Sequence, residues 1–229
     1  MKLIPVVHYK SSIQAVEQSN LAIDAGADGV MLIDHDYDNP SEHILNAYSS
    51  VRASLPDAGI GVNLLCASTG LVSFTNITEY IIRKKINAPD YVWVDDAKPR
   101  ALDLAAFRKQ GKVATMQYLG GVSFKYTNEY TDDPEDSANQ ARTMQPLVDI
   151  VTTSGRGTGH SAPVDKIRAM KSAITKPLAL ASGVDASNIR RYRKCVDLAL
   201  VSSSVETFPG SGEFSLSALR KLVELAHED

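Results

Sequence analysis

The sequence predicts a single (β/α)₈ TIM barrel over residues 1–229, and three observations carry that expectation. Short apolar, β-branched runs alternate with helix-length segments along the whole chain, the order of parallel βα units. No linker, low-complexity tract or charge block interrupts the series, so nothing marks a second domain. The last two apolar runs end in Ser182-Gly183 and in Ser202-Ser203-Ser204, small residues at the place where such barrels often hold a phosphate.

The elements follow in order. Ile4–His8 reads as the first strand, too short an apolar run for a signal peptide. Ser12–Ala25 carries Ile13, Val16, Leu21 and Ile23 among good helix formers, with Gly26 where a helix stop belongs. Gly29–Asp34, Gly59–Leu65 and Tyr91–Asp95 are strands two to four, separated by helices over Pro40–Ser54 and Asn76–Lys85. A helix over Leu102–Lys109 leads to a fifth strand over Val113–Gln117. Asp149–Thr153, Pro177–Ala181 and Leu198–Ser202 complete the strands, with helices over Pro134–Gln145, Val164–Ile174, Ser187–Arg193 and Ser215–His227. The segment 118–133 breaks this grammar: it holds a Gly pair able to act as a hinge, Phe124, Tyr126, Tyr130 and Lys125. On the active face of a barrel it reads as a lid, or else as a surface hairpin or an oligomer contact.

Bulk composition narrows the partners. A net charge of −3 provides no global field for nucleic acid or an anionic membrane, so any anion binding is local. Cys66 and Cys195 are too few for a disulfide framework, and no zinc-ligand spacing occurs. These features point to a cytoplasmic protein without nucleic-acid or membrane partners, compatible with a homo-oligomer.

A barrel gathers the C-terminal ends of its strands at one mouth, and these ends are polar here: His8, Asp34-His35-Asp36, Asn63, Asp95-Asp96 and Gln117. Asp34 and Asp95 follow apolar residues and are the candidate catalytic carboxylates, with His8 and Asn63 beside them. Asp36 and Asp96 read equally well as helix or loop caps. His35 and His160 fall in loops and face solvent by default. Ser154, Gly155 and Arg156 open a Gly-rich loop that matches neither the Walker nor the Rossmann spacing, yet suits an anion contact through Arg156. Ser182, Gly183, Ser202, Ser203 and Ser204 are the candidate phosphate-binding residues, since Gly183 admits close backbone approach and the serines leave amides accessible.

No lysine ends a strand, which disfavours Schiff-base chemistry; Lys98 and Lys125 lie in loops. No required cofactor and no resident metal is indicated, although strand-end carboxylates are of a type that binds divalent metals. There is no Gly-x-Ser-x-Gly elbow and no His-Glu-x-x-His helix.

Three stretches, residues 149–159, 164–171 and 177–189, together resemble the BtpA family of barrel proteins. Support at the other end comes from Pro5-Val-Val-His-Tyr-Lys10, Ala25-Gly-Ala-Asp-Gly-Val30 and Gly61-Val-Asn-Leu64. The likeness is best over the last third and poor between about residues 70 and 140. It implies a barrel related to those that bind ribulose phosphates, while the family itself has been associated with photosystem assembly and sugar-related operons. Residues and resemblance together lead to one expectation. The chain acts on a phosphorylated sugar or nucleotide-like molecule, by isomerisation or by cleavage or transfer at an anomeric carbon. The competing expectation is a non-catalytic ligand-binding or assembly factor.

Overall fold

The computed structural model describes residues 1–35, 40–65 and 67–228, so Asp36 and Cys66 lie outside the described residues. Eight parallel strands close into a barrel in sequence order, and the last pairs with the first. They are β1 (Lys2–His8), β2 (Val30–Ile33), β3 (Ile60–Asn63), β4 (Tyr91–Val94), β5 (Gln117–Gly121), β6 (Ile150–Ser154), β7 (Leu178–Ala181) and β8 (Leu198–Val201). The helices between and after them are α1 (Ser12–Asp24), α2 (Pro40–Ser54), α3 (Gly70–Lys84), α4 (Ala101–Phe107), α5 (Pro134–Met144), α6 (Val164–Ala173), α7 (Ile189–Tyr192) and α8 (Leu216–His227).

The period-2 alternation of each strand separates two cores. Ile4, Val6, Met31, Ile33, Tyr91, Trp93, Leu119, Ile150, Ala179, Ala181, Leu198 and Leu200 fill the barrel interior. The intervening residues, such as Leu3, Val7, Leu32, Val62, Val92, Val151 and Leu180, pack outward with the helices.

The fifth strand lies four residues later than its sequence pattern suggests. Gly111–Thr115 forms a 3₁₀ turn, and Gln117 begins β5 instead of ending it, which places Gln117 at the end of the barrel opposite the mouth. The Gly pair is therefore strand and not a hinge. At Gly121 an added Cβ would overlap the carbonyl of Asp95, so only glycine lets β5 approach the end of β4 this closely. Helix α3 also starts six residues earlier than the pattern predicts, capped by Thr69, whose hydroxyl accepts the Val72 amide at 3.3 Å.

A quarter-barrel repeat emerges at the opposite end from the mouth. The aspartate before each even strand accepts the amide of a residue at or near the start of the preceding odd strand. The pairs are Asp28 with Leu3 at 2.8 Å, Asp90 with Ile60 at 2.8 Å, Asp149 with Tyr118 at 2.8 Å and Asp197 with Leu178 at 2.7 Å. Each aspartate also meets a basic side chain in or directly after an even helix: His227 of α8, Arg52 of α2, Arg108 just after α4 and Lys171 of α6.

Candidate functional site

A cavity of about 1340 Å³ opens at the C-terminal ends of the strands. Strand parity decides which side chains enter it. His8 continues the inward series Ile4, Val6, and Asn63 and Asp95 continue those of β3 and β4; all three line the cavity. In β2 the inward residues are Met31 and Ile33, so the next inward position is His35, and His35 lines the cavity. Asp34 has the opposite parity; it is buried and is not among the lining residues.

The Asn63 amide donates to Asp95 Oδ1 at 3.0 Å. Burial raises the Asp95 pKa above the usual carboxylate value, opposed by the Asn63 hydrogen bond and the nearby charge of Lys125. His8 Nδ1 and His35 Nε2 are 2.9 Å apart, in rings inclined by 7° with centroids 4.9 Å apart. That combination places the rings edge to edge, since face-to-face stacking would not bring two ring nitrogens so close. Burial first, then the neighbouring His35, lowers the His8 pKa to about 4, so His8 is neutral at pH 7. Burial lowers that of His35 as well.

Lys125, a loop lysine by sequence, enters the mouth. From the loop after β5 its ammonium reaches Ser182 Oγ at 2.7 Å and Thr158 Oγ1 at 3.0 Å, and it lines the cavity. Both partners are neutral hydroxyls, and among the described residues no carboxylate lies within ion-pair distance of it. Burial lowers its pKa, while Asp95 and Tyr126 favour the charged form. Lys98, the other loop lysine, is exposed and paired with Glu129 at 2.6 Å.

Ser182, Gly183, Ser202, Ser203 and Ser204 all line the mouth beside Lys125. Ser182 and Gly183 have φ of +74° and +70°, and a Cβ on Gly183 would overlap the carbonyl of His160. Asn188 holds this turn by donating to Gly183 O at 2.7 Å. Among the described residues, the amides of Gly183, Ser203 and Ser204 donate to no protein acceptor. The Ser202 hydroxyl donates to Glu206 Oε1 at 2.8 Å.

Ser154, Gly155 and Arg156 are not among the lining residues. Ser154 is buried, its hydroxyl accepting the Lys125 amide at 2.8 Å, while the Arg156 side chain is exposed. Asp96 lines the cavity and also caps its loop by accepting the Lys98 amide at 3.0 Å. Of the loop aromatics, only Tyr126 faces the mouth, with φ +64° and 76 % of its surface exposed. Phe124 turns inward onto Trp93 with centroids 5.9 Å apart, and Tyr130 covers Lys166. The segment beyond Gly121 forms turns and no hairpin.

No family model matches the chain, and no curated protein matches it. Solved structures do. N-(5'-phosphoribosyl)anthranilate isomerase from Pyrococcus furiosus superposes with a TM-score of 0.65 at 18 % identity, covering 99 % of this chain and 98 % of that one. Thiamine phosphate pyrophosphorylase from Pyrococcus furiosus gives 0.68 at 14 % identity, over 98 % and 95 %. The (S)-3-O-geranylgeranylglyceryl phosphate synthase from Thermoplasma acidophilum, in complex with sn-glycerol-1-phosphate, gives 0.61 at 15 % identity, over 100 % and 94 %. At these identities the likeness is one of fold. No described helix is long and apolar enough to cross a membrane.

Proposed function

We propose that this barrel is an enzyme acting on a phosphorylated small molecule, a phosphosugar or a nucleotide-like compound. One observation carries the reading: the Lys125 ammonium, with no carboxylate of the described residues in ion-pair range, reaches Ser182 in a mouth also lined by Gly183, Ser203 and Ser204, whose amides meet no acceptor among the described residues. A half-buried charge whose hydrogen-bond partners are hydroxyls favours an anion, and backbone amides supply the directional hydrogen bonds a phosphoryl group accepts. The names of the three neighbours described above contain a phosphorylated compound, which agrees with a phosphate site at this end of the barrel.

Asp95 is the acid–base residue in this reading. Its raised pKa brings protonated and ionised forms closer in energy near neutral pH, and Asn63 fixes the orientation of its carboxyl group. Neutral His8 is placed to exchange a proton through its hydrogen bond with the more exposed His35. With Asp34 directed away from the mouth, a catalytic pair of Asp34 and Asp95 is not assembled, and proton transfer within the substrate, as in isomerisation, is the reaction we assign to Asp95. Tyr126 at the rim offers a face for a flat ring.

Thermal unfolding against a panel of phosphosugars and nucleotides tests the proposal. A true ligand at a hundred times its Kd stabilises by about 2.7 kcal/mol. The gain should vanish with the dephosphorylated analogue and in Lys125→Met and Gly183→Val. Equal stabilisation by phosphorylated and dephosphorylated compounds would refute the phosphate site. Unchanged turnover in Asp95→Asn on an identified substrate would refute the role of Asp95.

A further inference from the structure

Lys166 stands in the first turn of α6 with its side chain fully buried. Burying an ammonium costs several kcal/mol unless its protons are taken up by acceptors. Lys166 donates to two backbone carbonyls, Ser123 O at 2.9 Å and Ser154 O at 3.0 Å. It also lies 4.4 Å from the centroid of the Tyr130 ring and 4.0 Å from the Asp132 carboxylate.

The two carbonyls belong to the exits of adjacent strands. Ser123 follows β5 by two residues, and Ser154 is the last residue of β6. Ser154 in turn accepts the Lys125 amide through its hydroxyl at 2.8 Å. Around Lys125 the backbone is left-handed at two non-glycine residues, Ser123 with φ +46° and Tyr126 with φ +64°. Such conformations persist only where neighbouring contacts over-determine them. At Ser123 those contacts are the Lys166 ammonium and the Thr153 hydroxyl on its carbonyl, with its own hydroxyl donating to Thr131 O at 2.9 Å. At Tyr126 the phenol oxygen accepts the Thr158 amide at 3.1 Å.

We infer that Lys166 is a positioning residue whose buried ammonium clips the exits of β5 and β6 together and so holds the Lys125 ammonium in the mouth. The anion that Lys125 then meets rests on the phosphate reading above; the clip itself does not. A methionine at 166 would fill much of the same volume but leave both carbonyls without this donor, and the loop after β5 would lose its anchor from below.

The experiment labels the full chain with trinitrobenzenesulfonate, reads each lysine by peptide mass spectrometry, and uses inorganic phosphate as the protecting probe. It compares the wild type with Lys166→Met and with Ser154→Ala, which removes only the hydroxyl holding the Lys125 amide. Both folded variants should change the labelling rate of Lys125 several-fold, while exposed Lys85 and Lys221 stay at wild-type rates. Unchanged Lys125 labelling in Lys166→Met overturns the clip whatever Ser154→Ala does, and if Lys166→Met does not fold, Lys166→Gln is read in its place with the same criterion. Phosphate failing to protect Lys125 in the wild type, with labelling still altered in the variants, sinks the anion site and leaves the clip standing. Equal phosphate protection in all three proteins, with equal labelling, does the reverse.

Discussion

His8 couples the mouth to pH in a way that can be read from its surroundings. Its folded pKa is lowered to about 4 by burial and by His35, against an ordinary value of 6.5. Between those values the unfolded chain binds more protons than the folded one, so stability rises with pH across the window and is lost as pH falls from 6.5 toward 4. In urea unfolding of the wild type His8 alone should therefore contribute a slope approaching one proton, about 1.4 kcal/mol per pH unit, on top of the same-signed part from His35. His8→Gln should flatten its part of that slope; an unaltered profile would show that His8 titrates normally. At the same scale, Asp95→Asn should retain phosphate-dependent stabilisation while abolishing turnover, because it keeps a hydrogen-bonding group of similar size beside Asn63 but removes the titrating carboxyl. Loss of both ligand binding and turnover would make Asp95 a binding residue instead. Residue identity was enough to select His8, Asn63 and Asp95 as mouth residues, since polar side chains ending apolar strands are conspicuous. It did not separate Asp34 from His35. That distinction was available in the inward parity of Met31 and Ile33, which carries on to His35 and turns Asp34 outward.

Among elements, the four aspartate clamps bind pairs of strands at the end opposite the mouth. Asp149 serves both the Tyr118 amide and the Arg108 guanidinium, whose side chain is only 13 % exposed. Asp149→Ala should lower stability by about 1–3 kcal/mol in denaturant titration, because a partly buried donor and cation lose their acceptor. Asp103→Ala, which breaks a surface pair with Arg100, should cost no more than about 0.5 kcal/mol. Similar losses for the two would deny the clamp its special role. Sequence patterns place these aspartates directly before strands but do not reveal the repeat, since the partner amide lies about 19 to 31 residues upstream. The misplaced fifth strand has a related cause. Glycine is depleted in strands, so Gly120-Gly121 reads as a loop, and only the nearness of the Asp95 carbonyl shows why glycine is required there. Gly121→Ala should accordingly destabilise the fold, measured as a lowered Tm, and by more than Gly111→Ala, where nothing surrounds an added Cβ and only the left-handed backbone at φ +53° opposes it.

Across the whole molecule, closure of β8 onto β1 places loops distant in sequence around one mouth. If that mouth holds a phosphorylated ligand, saturation should raise the global unfolding free energy by about 2.7 kcal/mol at a hundred times Kd, and Lys125→Met should abolish the rise without changing the unliganded Tm greatly. The barrel was determined by the sequence alone, because alternation of strand-length apolar runs with capped helices is a local signal repeated along the whole chain. The serines and glycine after β7 and β8 were legible for the same reason: small residues at a strand end are a local pattern with a known position in the barrel. Tertiary structure alone decided which cation stands beside them in the mouth. Arg156 had the better local setting, in a Gly-rich loop, yet it is exposed, whereas Lys125 is carried inward by a backbone held through Ser154 and Lys166. Those contacts join residues about 29 and 43 positions apart, and no periodicity within a single element encodes them.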